Sequence, residues 1–233
     1  MNISRRLNRL AELVTEGSRL ADVGTDHGYV PLCLCREKKI PSAIAMDINE
    51  GPLKRAKSHI AEAGLENYIE TRLSDGLHEL RGGEADTVLI AGMGGALMVR
   101  ILTEGTQALM GVRELVLQPQ SEIDEVRRWL CTHGWHIMKE DILLDEGKYY
   151  PMFKAVPGEA EGYTEAEYRF GKLGLQESPE VLADFLEKRL KVNRQIEAGL
   201  PKNDDGRIAA RRAEVAAEIG LLTEVLSCIA IWR

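Results

Sequence analysis

The chain is short of cysteine, carries no excess of positive charge and has no long apolar run, and each lack narrows what it can be. Its 4 cysteines, Cys33, Cys35, Cys131 and Cys228, form no CxxC pair, and no histidines cluster near them at metal-ligand spacing. No metal is therefore expected, and the thiols read as free and at least partly buried. No apolar run approaches the roughly 20 residues that span a bilayer, so no membrane partner is expected. The opening MNISRRLNRLAELV has charges where a secretory leader needs an apolar block, and the expected location is cytoplasmic. The formal net charge is −7, which lacks the global basic balance of many nucleic-acid binders. That counts weakly against RNA and leaves local basic clusters open. No long internal repeat is visible. What remains is a 233-residue chain, 44% hydrophobic and 29% charged, enough for one large domain or a core with a small extension.

Strands and helices alternate along most of it. Residues 1–14 form an amphipathic helix, with Ile3, Leu7, Leu10 and Val14 on one face. Arg19–Val23 is a short strand entering a glycine loop, and Pro31–Lys39 suits a helix with Pro31 near its first turn. Ala43–Asp47 is the next strand. Asn49 is placed to cap a helix that stops at Gly64, and Tyr68–Leu73 follows as a third strand. Asp86–Ala91 is almost wholly apolar, as in a strand buried on both faces, and leads through a glycine-rich turn into a helix. Glu114–Leu117 is a fifth strand, and Ser121 with Asp124 resembles a capping box for a helix ending at Gly134. Residues 135–144 and 149–156 read as two strands joined tightly through Asp145–Lys148, an antiparallel edge on an otherwise parallel sheet. Residues 158–178 are polar. From Pro179 onward the pattern is helical, with one stripe at Leu182, Phe185, Leu186, Leu190, Asn193 and Ile196. A second stripe runs through Val215, Ile219, Leu222, Leu226 and Ile229 after a break at Leu200–Gly206. A coiled-coil-like helical hairpin fits them.

Chemistry concentrates at strand ends. Asp22-Val23-Gly24-Thr25-Asp26-His27-Gly28 follows the first strand and precedes a helix. Glycine there lets a ligand lie against the backbone, and free helix N-terminal amides can meet its polar groups. Asp47 closes the second strand within Ala45-Met46-Asp47-Ile48-Asn49, and at that spacing a carboxylate accepts from the hydroxyls of a ribose. A capping role is its alternative. Ser74-Asp75-Gly76 ends the third strand, where Asp75 either accepts from an adenine amine or serves a turn. Ala91-Gly92-Met93-Gly94-Gly95 ends the most apolar strand, a backbone-rich turn that lets a flat ring approach. Open α/β sheets bind ligands at this edge, so the motifs converge on one place. A dinucleotide is the natural rival ligand. It needs G-x-G-x-x-G at the first turn to approach the pyrophosphate, and the chain offers DVGTDHG. S-adenosylmethionine has no phosphate and tolerates Asp26 near its cationic end, so it is the preferred cofactor.

The series DVGTDHGYVP, AMDIN, LSDGL, IAGMGG and LQPQ resembles the bacterial tRNA (adenine-22-N1)-methyltransferases, the TrmK family. The resemblance covers nearly the whole chain, including the opening helix and the C-terminal hairpin. It departs at Gln120, where relatives are expected to read LQPN. It implies an α/β fold, a Rossmann-like class I methyltransferase core over residues 1–157, with a linker and helical hairpin over 158–233. It also implies a tRNA substrate and a cofactor site lined by Gly24, Asp26, Gly28, Asp47, Asp75 and Gly92. Asp22, Ile48, Gly76 and Met93 lie in the same motifs and join that expected cofactor set. Asp26 becomes the first candidate to stabilise the cationic product base, with His27 and Tyr29 to position it. A purely cofactor-binding or loop-capping role for Asp26 stays open. Gly94, Gly95, Gln118 and Pro119 are expected to shape the substrate pocket. For the phosphate backbone, basic clusters stand at Arg5, Arg6 and Arg9, at Lys54, Arg55 and Lys57, at Lys188, Arg189, Lys191 and Arg194, and at Arg211 and Arg212. Arg189 and Arg194 are the expected contacts on the hairpin. Two alternatives remain: a methyltransferase acting on another RNA or a small molecule, and a non-catalytic cofactor-binding interaction protein.

Overall fold

A computed structural model describes residues 3–201 and 206–232. Seven strands form one sheet, β1 (Leu20–Val23), β2 (Ala43–Asp47), β3 (Ile69–Leu73), β4 (Thr87–Met93), β5 (Glu114–Pro119), β6 (Trp135–Asp145) and β7 (Lys148–Pro157). Their spatial order is β3-β2-β1-β4-β5-β7-β6. β1 to β5 pair in parallel, and β7 runs antiparallel between β5 and β6. The expected antiparallel edge is present. Glu146 and Gly147 both have positive φ, the backbone a two-residue type I′ hairpin needs. The strand order reverses between β1 and β4, which opens a crevice at their carboxyl ends.

Residues Val88, Leu89 and Ile90 of β4 and Leu115, Val116 and Leu117 of β5 are buried, as their unbroken apolar runs require. Helices α1 (Arg5–Leu13), α2 (Tyr29–Arg36), α3 (Glu50–Glu62), α4 (Gly95–Glu104) and α5 (Ile123–Thr132) cover the sheet. Ser4 caps α1 by accepting from the Leu7 amide. The other end of α1 is tied to the sheet. Glu114 Oε1 accepts from the Thr15 amide at 2.8 Å, and Lys154 Nζ donates to Leu13 O at 2.9 Å and to Glu114 Oε2.

Some local expectations fail for tertiary reasons. α2 starts at Tyr29, so Pro31 is its third residue. Asn49 stands at the N-cap of α3 without a side-chain cap, and its backbone amide donates to the Asp47 carboxylate at 2.9 Å. Ser121 caps nothing. Its carbonyl accepts from the Gly95 amide at 2.9 Å, its hydroxyl turns to Glu122, and α5 starts after Glu122 in the left-handed region. Cys33 and Cys35 are buried and Cys131 half-buried, but Cys228 is exposed.

A second compact unit begins at Tyr163. It holds α6 (Glu165–Phe170), α7 (Pro179–Gly199) and α8 (Gly206–Trp232). α6 falls inside the stretch expected to be linker, and Thr164 and Glu167 form a complete capping box at its start. α7 and α8 pack on one another as a hairpin, burying Leu182 and Leu186 on one and Val215, Leu222 and Ile229 on the other. Residues 202–205 of the expected break lie outside the described residues. Among those described, no helix is long and apolar enough to cross a membrane.

Candidate active site

The crevice at the β1/β4 reversal holds a small, partly open cleft. Asp22, Gly24, Thr25, Asp26, His27 and Tyr29 line it from the first loop and the start of α2, Leu89 and Ala91 from β4, and Arg6, Leu7 and Leu10 from α1. The loop is built on β2. The amides of Gly24 and Thr25 both donate to Met46 O, at 2.8 and 2.9 Å. That turn needs φ +74° at Gly24, and a Cβ there would run into the Met93 methyl group. Gly24 lines the cleft with backbone alone, and the side of the residue where a Cβ would stand is filled by Met93.

Asp22 is buried at the mouth of β1 and its Oδ2 accepts from the Thr25 hydroxyl at 2.6 Å. Burial pushes its carboxyl up to about 6. The Thr25 bond works against that rise and the neighbouring Asp47 carboxylate adds to it. Such a group welcomes a cation. Asp47 is buried at the end of β2, one oxygen spent on the Asn49 amide. Beside it Ile48 is 56% exposed, and Leu73 at the end of β3 is 51% exposed. These bare apolar side chains on adjacent strand ends suit the face of a flat ring. Asp75 is half-buried, with Oδ1 3.2 Å from Arg100 Nη2, and Gly76 turns with φ +57° against Ile101. The donor set therefore fits a nucleoside with a cationic tail: a bare glycine cradle, a carboxylate at a strand end, exposed apolar faces and a buried acid.

Asp26 takes φ +51° and is exposed, with Oδ1 3.2 Å from Arg55 Nη2 and 3.6 Å from His27 Nε2. His27 stacks on Tyr29, with ring centroids 5.2 Å apart and planes 7° apart, and both stack on His59 at 5.5 Å. His59 is a neighbour that no spacing in the sequence indicates, since it reaches the loop from the far end of α3. Its Nδ1 lies 3.1 Å from His27 O.

Gly92 is the bulge residue of β4. The register with β5 shifts between Ala91 and Met93, and φ is +77°. The bulge sends the Met93 side chain back over Gly24. Gly94 caps α4, and a Cβ at Gly95 would collide with the carbonyls of Ser121 and Glu122. Gln118 is fully buried at the end of β5, and Pro119 pairs with Met93. Arg6, expected only as part of a surface cluster, turns inward. Its Nη1 donates to Gln118 Oε1 at 2.8 Å, and its guanidinium lies 5.4 Å from the Tyr150 ring centroid. Arg9 also turns inward, to Asp141, and Lys54 is 3.0 Å from Glu50. Arg189 and Arg194 lie in the second unit. Arg189 donates to Glu218 at 2.6 Å and sits over Phe170 and Phe185, while Arg194 is exposed on α7.

Strand order, the antiparallel β7 and the ligand-binding strand ends define a Rossmann-like methyltransferase core of class I. The comparisons agree. Residues 3–153 match the family described as a methyltransferase domain. A Bacillus subtilis tRNA (adenine(22)-N(1))-methyltransferase is 38% identical over 159 residues, 68% of this chain and 67% of that protein. The crystal structure of the B. subtilis m1A22 tRNA methyltransferase TrmK matches with a TM-score of 0.87 at 31% identity, covering 97% of this chain and 99% of that one. A Streptococcus pneumoniae protein solved in complex with S-adenosyl-L-methionine matches with a TM-score of 0.85 at 35% identity, covering 97% and 100%. The chain belongs to this methyltransferase-domain family and, within it, to the TrmK family.

Proposed function

We propose that the protein methylates N1 of an adenine, at position 22 of tRNA, using S-adenosylmethionine. The observation that carries this reading is the meeting of the bare Gly24 cradle, the buried acid Asp22 and the Asp47 carboxylate at one sheet edge. When bound, S-adenosylmethionine supplies an electrophilic methyl group on a sulfonium.

Gly24 presents bare loop backbone to the cofactor, Gly28 lets the start of α2 pack against Ala56 of α3, Asp47 takes the ribose hydroxyls, and Ile48 covers the adenine ring. Asp75 and Gly76 close its far side, Asp22 faces the cationic tail, and Gly92 and Met93 bound the reacting end. Gly94, Gly95, Gln118 and Pro119 frame the opening for the target base. N1 of neutral adenine carries its own lone pair, so no residue has to remove a proton before attack. The chain's task is to hold the base in line and to meet the positive charge the base acquires. Asp26 is the carboxylate for that charge, and the stacked His27 and Tyr29 rings are the surface that orients the base. A base inside folded tRNA must leave its stack to enter the cleft.

The test is nucleoside mapping. Bulk tRNA treated with the purified protein and labelled methyl donor should gain 1-methyladenosine at position 22. Label on a different nucleoside, or none with the cofactor bound, overturns the assignment. Asp26→Asn keeps a residue type that tolerates φ > 0. It should lower turnover while leaving cofactor affinity in place, and unchanged turnover removes Asp26 from the chemistry.

A further inference from the structure

The loop that carries Asp26 and His27 is seated on one face of α3. Arg55 Nη2 reaches Asp26 Oδ1 at 3.2 Å, a Cβ at Gly28 would stand 3.3 Å from that of Ala56, and His59 Nδ1 lies 3.1 Å from His27 O. Positions 55, 56 and 59 share a helix face, so one regular element meets three successive loop residues. A carbonyl oxygen only accepts, so His59 carries a proton on Nδ1 and donates it to the His27 backbone. The His27 ring has little else to hold it. Its Nδ1 is buried without a hydrogen-bond partner among the described residues, and its Nε2 stands 3.6 Å from Asp26 Oδ1, beyond hydrogen-bond length. Its plane is set by stacking instead, on Tyr29 at 5.2 Å and 7° and on His59 at 5.5 Å and 19°. Tyr29 and His59 also stack, at 5.5 Å and 14°, so each of the three rings touches the other two. His27 and Tyr29 line the cleft, and His59 stands behind them outside its lining.

We infer that His59 is a positioning residue for methyl transfer: its Nδ1 proton fixes the His27 backbone, its ring fixes the planes of His27 and Tyr29, and together they set the surface that aligns the target base. The inference rests on the base-orienting role given above to His27 and Tyr29 and adds the residue that holds them. His59 touches neither base nor cofactor and moves no proton in the reaction. Its contribution is geometric, and geometry matters here because in-line transfer loses about 100-fold in rate when a reactant is misplaced by about 1 Å. The two functions of the imidazole can be separated. Asn at this position offers an N–H near the place of Nδ1 without a ring, and Phe offers a ring without a donor.

Methylation kinetics of the full chain with tRNA test this, alongside calorimetry with S-adenosylmethionine. His59→Ala should lower kcat about 10- to 100-fold while the KM for tRNA and the cofactor affinity stay within about twofold of wild type. His59→Asn and His59→Phe should each recover part of the lost rate. In a His27→Ala background the same His59→Ala change should cost less than about threefold, because the side chain it acts through is gone. A wild-type kcat in His59→Ala overturns the inference, as does a loss that adds in full to that of His27→Ala. Cofactor affinity falling in step with kcat also overturns it, since that marks a general loosening of the fold. If His59→Ala does not fold, the Asn and Phe variants decide by the same criteria. A wild-type chain that binds S-adenosylmethionine and methylates no tRNA sinks the functional reading itself, and this inference with it, whereas an active wild type with an equally active His59→Ala sinks the inference alone.

Discussion

The Thr25 hydroxyl donates to Asp22 Oδ2 at 2.6 Å, yet the carboxyl it serves still titrates at about 6. One hydrogen bond does not repay the burial of the charge. Unfolded, Asp22 releases its proton near pH 4. Between about 4 and 6 the folded chain holds more protons than the unfolded one, so this group makes stability fall as pH rises through that window and then level off. Asp22→Asn should remove that slope and gain about 1–3 kcal/mol at neutral pH, because Asn keeps an acceptor for Thr25 without the buried charge. The same change should weaken cofactor binding at pH 7.5. Thermal melts and calorimetry from pH 4 to 8 check both. A variant that gains stability and binds as wild type would show that no ammonium faces Asp22.

Gly24→Ala meets strain from φ +74° and the Met93 methyl group together. The flexible end of Met93 can swing aside, so the fold should survive with a loss of about 1–3 kcal/mol. The strained loop then no longer presents the same backbone to the cleft, and cofactor affinity should fall by at least about 100-fold, on the logic that overfilled sites lose contacts on every side. Adding Met93→Ala should relieve the clash and recover only part of the stability, because the φ strain remains, and should leave binding weak.

What was legible in the sequence followed from local rules. The placing of Asp47 at the end of β2 and of Gly24 and Gly92 in turns after β1 and within β4 follows from the local signatures of strand ends and glycine turns. The β6–β7 hairpin was found because Glu146-Gly147 interrupts two strand-like runs. Ser121 misleads because its capping pattern is local, whereas the Gly95 amide that claims its carbonyl comes from the start of α4. α6 was missed although Thr164 and Glu167 spell its capping box, since polar glycine-containing flanks hid a helix of 6 residues. Arg6 had no signal at all. Its inward course depends on how Glu114 and Lys154 seat α1, a tertiary fact no spacing records.

Arg127 and Glu140 form an ion pair at 2.7 Å with both side chains at most 3% exposed, under the Phe153 ring. Burial makes removal of one partner costly, because it strands the other charge. Glu140→Gln or Arg127→Met alone should cost about 3–5 kcal/mol in urea unfolding. Arg127→Met combined with Glu140→Leu should recover most of it. A single variant of wild-type stability would mean that water reaches the pair.

Lys191 and Arg194 line an exposed groove on α7 with Leu190 and Gln195, one helical turn past the Arg189–Glu218 pair. Arg189 is spent on holding the second unit together, so its loss should act through stability: Arg189→Ala should lower the melting temperature. Lys191 and Arg194 are different. Each contact with an RNA phosphate releases counterions, so log affinity falls with log salt by nearly one per contact. Replacing both with Ala should raise the KM for tRNA, reduce the salt slope by about one to two, and leave the affinity for S-adenosylmethionine unchanged. If the slope does not move, the phosphates are met elsewhere. Arg5 on α1 and Lys57 on α3, both exposed, then become the next pair to replace, because their neighbours Arg6 and Arg55 are already engaged with Gln118 and Asp26.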